Sequence, residues 1–280
     1  MPGLLAFHAH PDDEVIGTGG VLARYAAAGE QVLVVTATDG AEGEIHNYED
    51  PHSLRDRLPA MRAEEVRAAL DILGVKHHEF LGFRDSGMMG TEANANTAAL
   101  WQADLFEATK RLVSLIRRFQ PEVMIVYDPF GGYGHPDHIQ VHRIGVAAFF
   151  GCRDLGWFPL QDGEEEFRPR KLYWTAWGRE RMRVLNQMRA DADPDDESYL
   201  ARLERGFPDD ELSAVIDVED FVEAKTAALR AHRSQIPDDW FGMSVPDEAR
   251  RAWFGTESFV RIFSSVESPL PETDLFAGLR

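Results

Sequence analysis

Short apolar runs and amphipathic stretches of helical period alternate along the first 150 residues. Residues 4–8 form a brief apolar run, and residues 31–38 (QVLVVTAT) are continuous and β-branched. Runs of this kind suit strands covered on both faces. Residues 122–127 (EVMIVY) have the same character, and 75–81 form a shorter strand candidate. Between these runs the period becomes helical. Residues 15–28 end at Gly29 and residues 59–73 at Gly74, glycines placed where helices commonly stop. The pattern predicts a long amphipathic helix over 98–119 and another helix over 138–150. Polar, glycine-bearing segments over 39–58, 83–96 and 128–136 read as loops, and long loops are commonly functional.

Strands alternating with helices predict βαβ units and a parallel sheet. The fold class is therefore α/β, a Rossmann-like and mostly parallel sheet flanked by helices. The pattern weakens after Gly151. Strands are expected over 171–177 and 213–218, helices over 182–189 and 220–235, and an acidic loop over 191–197. No repeat or linker interrupts the chain. A single domain over 1–280 is expected, with an α/β catalytic core over 1–150 and a C-terminal elaboration over 151–280.

Two segments carry candidate chemistry: His8-Ala9-His10-Pro11-Asp12-Asp13-Glu14 and His135-Pro136-Asp137-His138. Each follows a predicted strand and precedes a predicted helix, so both fall on the carboxyl edge of the sheet, where α/β folds bind ligands. A catalytic zinc takes about three protein ligands and keeps one position for water. His10, Asp13 and His138 can supply three ligands, leaving Asp12 and His135 as a base and an acid. A plainer reading makes Asp12, Asp13 and Asp137 helix caps. Capping needs no histidine, yet both segments set histidines beside their acids. Gly17-Thr18-Gly19-Gly20 does not make a dinucleotide site, because the spacing requires glycine where Leu22 stands. Close helix packing accounts for these glycines better. His8 and His142 read as supports around the site rather than ligands.

The net charge is −19, from 29 Lys plus Arg against 48 Asp plus Glu. Such a chain repels phosphate backbones and anionic membrane surfaces, so neither nucleic acid nor membrane is an expected partner. Cys152 is the sole cysteine and cannot form an internal disulfide, as suits a reducing compartment. The N-terminal residues have no signal-peptide pattern, and a cytoplasmic location is expected. Oligomeric state is open, including a homo-oligomer.

The paired segments Ala9–Glu14 and His135–His138 resemble the signatures of the LmbE/PIG-L-type zinc de-N-acetylases. The resemblance covers residues 4–150 and, more loosely, Ala231-His232-Arg233-Ser234-Gln235. Arg84–Met88 and Tyr127–Gly134 are most similar to the deacetylases of mycothiol biosynthesis. That resemblance implies an LmbE-like fold and one Zn2+ per chain on His10, Asp13 and His138, although Fe2+ suits the same donors. It implies Asp12 as general base, His135 as electrostatic stabiliser and general acid, and Asp137 as the group orienting His135. It further implies Tyr133 polarising the substrate carbonyl and Arg62 and Asp85 gripping a sugar. The implied reaction removes acetate from a small-molecule amino sugar such as GlcNAc-inositol. Amidases of mycothiol S-conjugates and GlcNAc-malate deacetylases of the bacillithiol pathway are the alternative relatives. Two readings of other classes are weaker. A nucleotide-binding module lacks its glycine pattern, and a sugar-binding protein with a closed structural metal would not need Asp12 and His135.

Overall fold

A computed structural model describes residues 3–192 and 206–280. Seven strands form one sheet in the order β3-β2-β1-β4-β5-β7-β6. The first five are β1 (Gly3–His8), β2 (Gln31–Thr38), β3 (His77–Phe83), β4 (Val123–Val126) and β5 (Lys171–Ala176). They are mutually parallel. β7 (Thr256–Ser264) lies between β5 and β6 (Ala214–Asp217) and runs antiparallel to both. Chain order reverses between β1 and β4, which makes the crevice above them the switch point of the sheet.

Alternate residues of each inner strand face opposite layers, as the period of two requires. Leu4, Ala6, Val32, Val34, Val123 and Ile125 pack with α1 (Asp13–Ala27), α2 (Leu58–Ile72) and α6 (Val222–Ala231). Leu5, Phe7, Leu33, Val35, Met124 and Val126 pack with α3 (Leu105–Phe119) and α4 (Pro136–Gly151). Continuous apolar strands are thus buried on both sides. Two further helices, α5 (Arg179–Ala192) and α7 (Asp247–Phe254), join the first layer through Met182, Leu185, Trp253 and Phe254.

The α1 glycines serve close packing. A Cβ on Gly20 would lie 2.5 Å from a Val218 methyl group. Beside it, the Glu257 carboxylate accepts from the backbone N–H groups of Gly20 and Val21 at 2.8 Å. Lys225 completes that buried cluster at 2.6 Å from Glu257.

Several expected boundaries move. The helix expected over 98–119 begins only at Leu105. Asp104 stops it by accepting from the Glu107 N–H at 2.9 Å, a side-chain cap that outcompetes an upstream helical turn. Residues Leu100–Gln102 form a separate 3-10 turn. β3 starts at His77 rather than 75, and α6 covers ten residues of the stretch expected over 220–235. The strand β7 was not expected, because Thr256–Ser264 sets Glu257 and Arg261 beside phenylalanine on one face and hydroxyls beside Val260 and Ile262 on the other. Asp191 and Ala192 close α5, and the rest of the expected acidic loop lies outside the described residues. Among the described residues no helix is long and apolar enough to cross a membrane.

Candidate metal centre

Both His/Asp segments leave the sheet at its switch point. The first turns sharply at Asp12, whose φ of 136° is far from the usual range of a non-glycine residue. α1 then begins at Asp13. The second runs through a glycine-rich turn after β4, where Asp128 accepts from the N–H groups of Phe130 at 2.7 Å and Gly132 at 2.9 Å. Gly131 has a φ of 65°, and a Cβ there would lie 2.4 Å from the His138 Cβ. α4 starts at Pro136, two residues before the expected His138. Its N-cap is His135, whose Nδ1 accepts from the Asp137 N–H at 3.1 Å.

These turns bring the candidate ligands together. Asp13 Oδ2 lies 3.2 Å from His10 Nδ1 and 3.2 Å from His138 Nε2. The His10 ring centroid is 4.5 Å from that of His135 and 5.2 Å from that of His138. Two overlapping sets offer donor atoms within 4.8 Å of one another: His10 with His135 and His138, and His10 with Asp85, His135 and Asp137. Ligands on a tetrahedral zinc at ordinary bond lengths stand about 3.3 Å apart, so the Asp13 contacts have the right span. The charge balance points the same way. Asp12, Asp13, Asp85 and Asp137 converge here, and Arg62 is their single permanently charged partner among the described residues. The donor set therefore fits a divalent cation.

Environment separates the ionisable groups. Burial opposes charge on Asp13, yet His138 and His10 hold its carboxyl well below the ordinary range. Burial pushes the Asp12 carboxyl up to about 6, with Asp13 adding repulsion and Arg62 pulling the other way. Burial, reinforced by His10 and His138, lowers His135 to about 3.

The remaining predicted site residues fall in different places. The Asp137 carboxylate is 4.0 Å from His135 Nδ1, and that nitrogen is already an acceptor. The carboxylate instead meets His10 Nε2 at 3.2 Å and takes hydrogen bonds from the Ser86 N–H and hydroxyl. In this structure the Asp137 carboxylate orients His10, and Asp137 holds His135 through its backbone N–H instead. Tyr133 is 45 % exposed, with its hydroxyl 3.5 Å from His138 Nε2. Arg62 is only 2 % exposed and donates to the Pro11 and Gly40 carbonyls while pairing with Asp12 at 3.1 Å. Asp85 is 3 % exposed, with Oδ1 at 3.6 Å from His10 Nε2. To touch a sugar, either residue would have to expose a polar atom.

Four supporting residues had no predicted role. Tyr127 stacks on His138 with centroids 4.4 Å apart, and its hydroxyl contacts His8 Nδ1 at 3.1 Å. Ser86 holds Asp137. Glu14 and His232 are buried together behind Asp12, 2.7 Å apart. All four had a signal, since each stands in a segment that carries the resemblance. His142 does not join the cluster; its Nδ1 contacts the Tyr127 carbonyl at 2.9 Å. Cys152 is a buried apolar side chain, its thiol pushed up to about 11 by burial.

A parallel sheet with imidazoles and carboxylates gathered at its switch point has the architecture of a metal-assisted hydrolase. Residues 5–149 match the family described as PIG-L: GlcNAc-PI de-N-acetylase. The chain belongs to this family, whose members are deacetylases acting on amide C–N bonds. It is 40 % identical, over 293 residues, to the 1D-myo-inositol 2-acetamido-2-deoxy-alpha-D-glucopyranoside deacetylase of Salinispora arenicola, covering 99 % of this chain and 91 % of that protein. The N,N'-diacetylchitobiose deacetylase of Pyrococcus horikoshii shares the fold with a TM-score of 0.66 at 23 % identity, over 93 % of this chain and 83 % of that one. GalB, the 4-carboxy-2-hydroxymuconate hydratase of Pseudomonas putida KT2440, has a TM-score of 0.61 at 19 % identity, covering 96 % and 100 %. A hydratase on the same fold means that fold alone does not specify the reaction.

Proposed function

We propose that this protein is a zinc-dependent hydrolase that removes the N-acetyl group from an N-acetylglucosaminyl small molecule, with GlcNAc-inositol or a close analogue as substrate. The observation that carries the reading is Asp13 Oδ2 standing 3.2 Å from nitrogens of both His10 and His138, with Asp12 beside it. The substrate class rests on the relative from Salinispora arenicola and its coverage of nearly the whole chain. All 280 residues act as one catalytic unit in this reading, since His232 of the C-terminal third touches Glu14 of the first motif.

His10, Asp13 and His138 would hold the ion. Bound there, zinc would supply Lewis acidity, which polarises an amide carbonyl and lowers the pKa of water. Asp12 takes the proton of the attacking water, and its raised carboxyl pKa suits both accepting that proton and passing it to the departing amine. With His135 Nδ1 accepting from Asp137 N–H, the ring proton sits on Nε2. His135 thus meets the developing oxyanion as a neutral donor. The Tyr133 hydroxyl is a second donor on the exposed side.

Metal analysis of the purified protein, joined to assays of the amine freed from GlcNAc-inositol, GlcNAc-malate and a mycothiol S-conjugate, tests this reading. One zinc per chain and fastest turnover of GlcNAc-inositol are expected. Fastest turnover of either other substrate moves the assignment to that relative. No metal-dependent amine release from any of the three overturns it.

A further inference from the structure

The proposed base occupies an unusual backbone. A non-glycine residue at φ 136° is strained and persists only where its surroundings over-determine it. Two groups do so here. Arg62 Nη2 grips the Pro11 carbonyl at 2.6 Å and the Asp12 carboxylate at 3.1 Å. Glu14 Oε2 accepts the Asp12 backbone N–H at 2.9 Å. The other oxygen of Glu14 meets His232 Nε2 at 2.7 Å.

Glu14 and His232 are both 0 % exposed. A carboxylate in the first turn of a helix is stabilised at the surface by the helix dipole, so complete burial is not needed for capping. The burial has another consequence: it fixes the acceptor that restrains Asp12. His232 is itself fixed. It ends α6, and Gln235 and Ile236 both donate backbone N–H groups to its carbonyl at 2.9 Å. The next turn is tied to α2 by Ser234, whose N–H and hydroxyl donate to Glu65 at 2.8 and 2.7 Å.

We propose that Glu14 and His232 form a positioning pair for Asp12, through which the C-terminal third sets the aim of the base in the first motif. Neither residue touches the reacting atoms; both act through the Asp12 backbone. This rests on the assignment of Asp12 as base, and the test separates the two.

His232→Ala, His232→Gln and Asp12→Asn are made singly, and the two His232 variants are also combined with Asp12→Asn. The readouts are kcat, KM, zinc per chain and amide hydrogen exchange over residues 11–14. His232→Ala is expected to lower kcat by about ten- to a hundredfold, the usual effect of removing a supporting partner. KM and zinc content stay unchanged, and exchange at Asp12 accelerates. His232→Gln keeps a donor for Glu14 and restores most of kcat. In the Asp12→Asn background the His232 changes cost nothing further. A folded His232→Ala protein with normal kcat and normal exchange overturns the proposal. So does a loss confined to KM or zinc content. Should His232→Ala not fold, a His232→Gln protein with kcat reduced a hundredfold overturns it equally. Near-normal turnover by Asp12→Asn alone instead removes the base assignment.

Discussion

The two edges of the sheet both bury charge, and they do so in opposite ways. At the amino edge of the parallel strands, Glu272 is enclosed by donors. Lys171 Nζ lies 2.6 Å away, Arg261 Nη1 2.8 Å away, and the hydroxyls of Tyr173 and Ser268 complete the shell. Two permanent cations face one carboxylate. At the carboxyl edge four carboxylates converge around imidazoles, with Arg62 as the permanent cation among the described contacts. A cluster whose carboxylate is neutralised and fully bonded is finished and acts as a clasp. An acid-rich cluster of the same depth is unfinished, and a divalent ion completes it.

That contrast can be broken experimentally. The largest effect is expected at the site edge. His138→Ala should lose most of its bound metal and with it nearly all turnover; full metal occupancy by elemental analysis would contradict its role as ligand. Asp12→Ala should keep the metal and lose about 10²–10⁴-fold in turnover, the usual contribution of a positioned general base. A near-normal rate of acetate release would remove the base assignment.

At clasps of the finished kind the effect should appear in stability. Lys225→Ala leaves the buried Glu257 carboxylate without its cation, at a cost of roughly 3–5 kcal/mol. Denaturant titration measures that cost, and metal content and kcat of the folded fraction should not change. The smallest effect concerns pH. Burial works against the Glu272 charge, but bonds from Lys171, Ser268 and Tyr173 hold its carboxyl below the ordinary 4.5. Its contribution is complete above pH 4.5 and fades as pH falls through the lowered folded-state value. Stability of Glu272→Gln should therefore fall less steeply than wild type below that pH, as thermal midpoints across an acid series would reveal.

The sequence was most legible where one physical signal acted alone. Apolar runs marked the inner strands, because residues such as Leu4, Val34 and Ile125 meet helices on both sides. Glycine and proline marked the turns. The motifs pointed to the carboxyl edge because each followed a strand. Less was visible where a tertiary contact decided the outcome. Asp104 broke a helix that periodicity alone would continue. The partner of Asp137 could not be read from its neighbour His135, since the chain turns the carboxylate toward His10, 127 residues away. Arg62 carries no mark in the sequence of being enclosed by Pro11 and Gly40 carbonyls. β7 was hidden because its neighbours β5 and β6 set its burial, and its own pattern does not.

The interior position of β7 bears on how the molecule is made. β6 is synthesised some forty residues earlier, yet among the described residues its only long pairing in the sheet is to β7. A nascent chain can assemble β1 to β5 as it leaves the ribosome, while β6 waits for residues 256–264 to emerge and slot in beside β5. Truncation near residue 150 would leave β4 as an open edge and Glu14 buried without its imidazole, so the motif-bearing half is poorly suited to expression on its own.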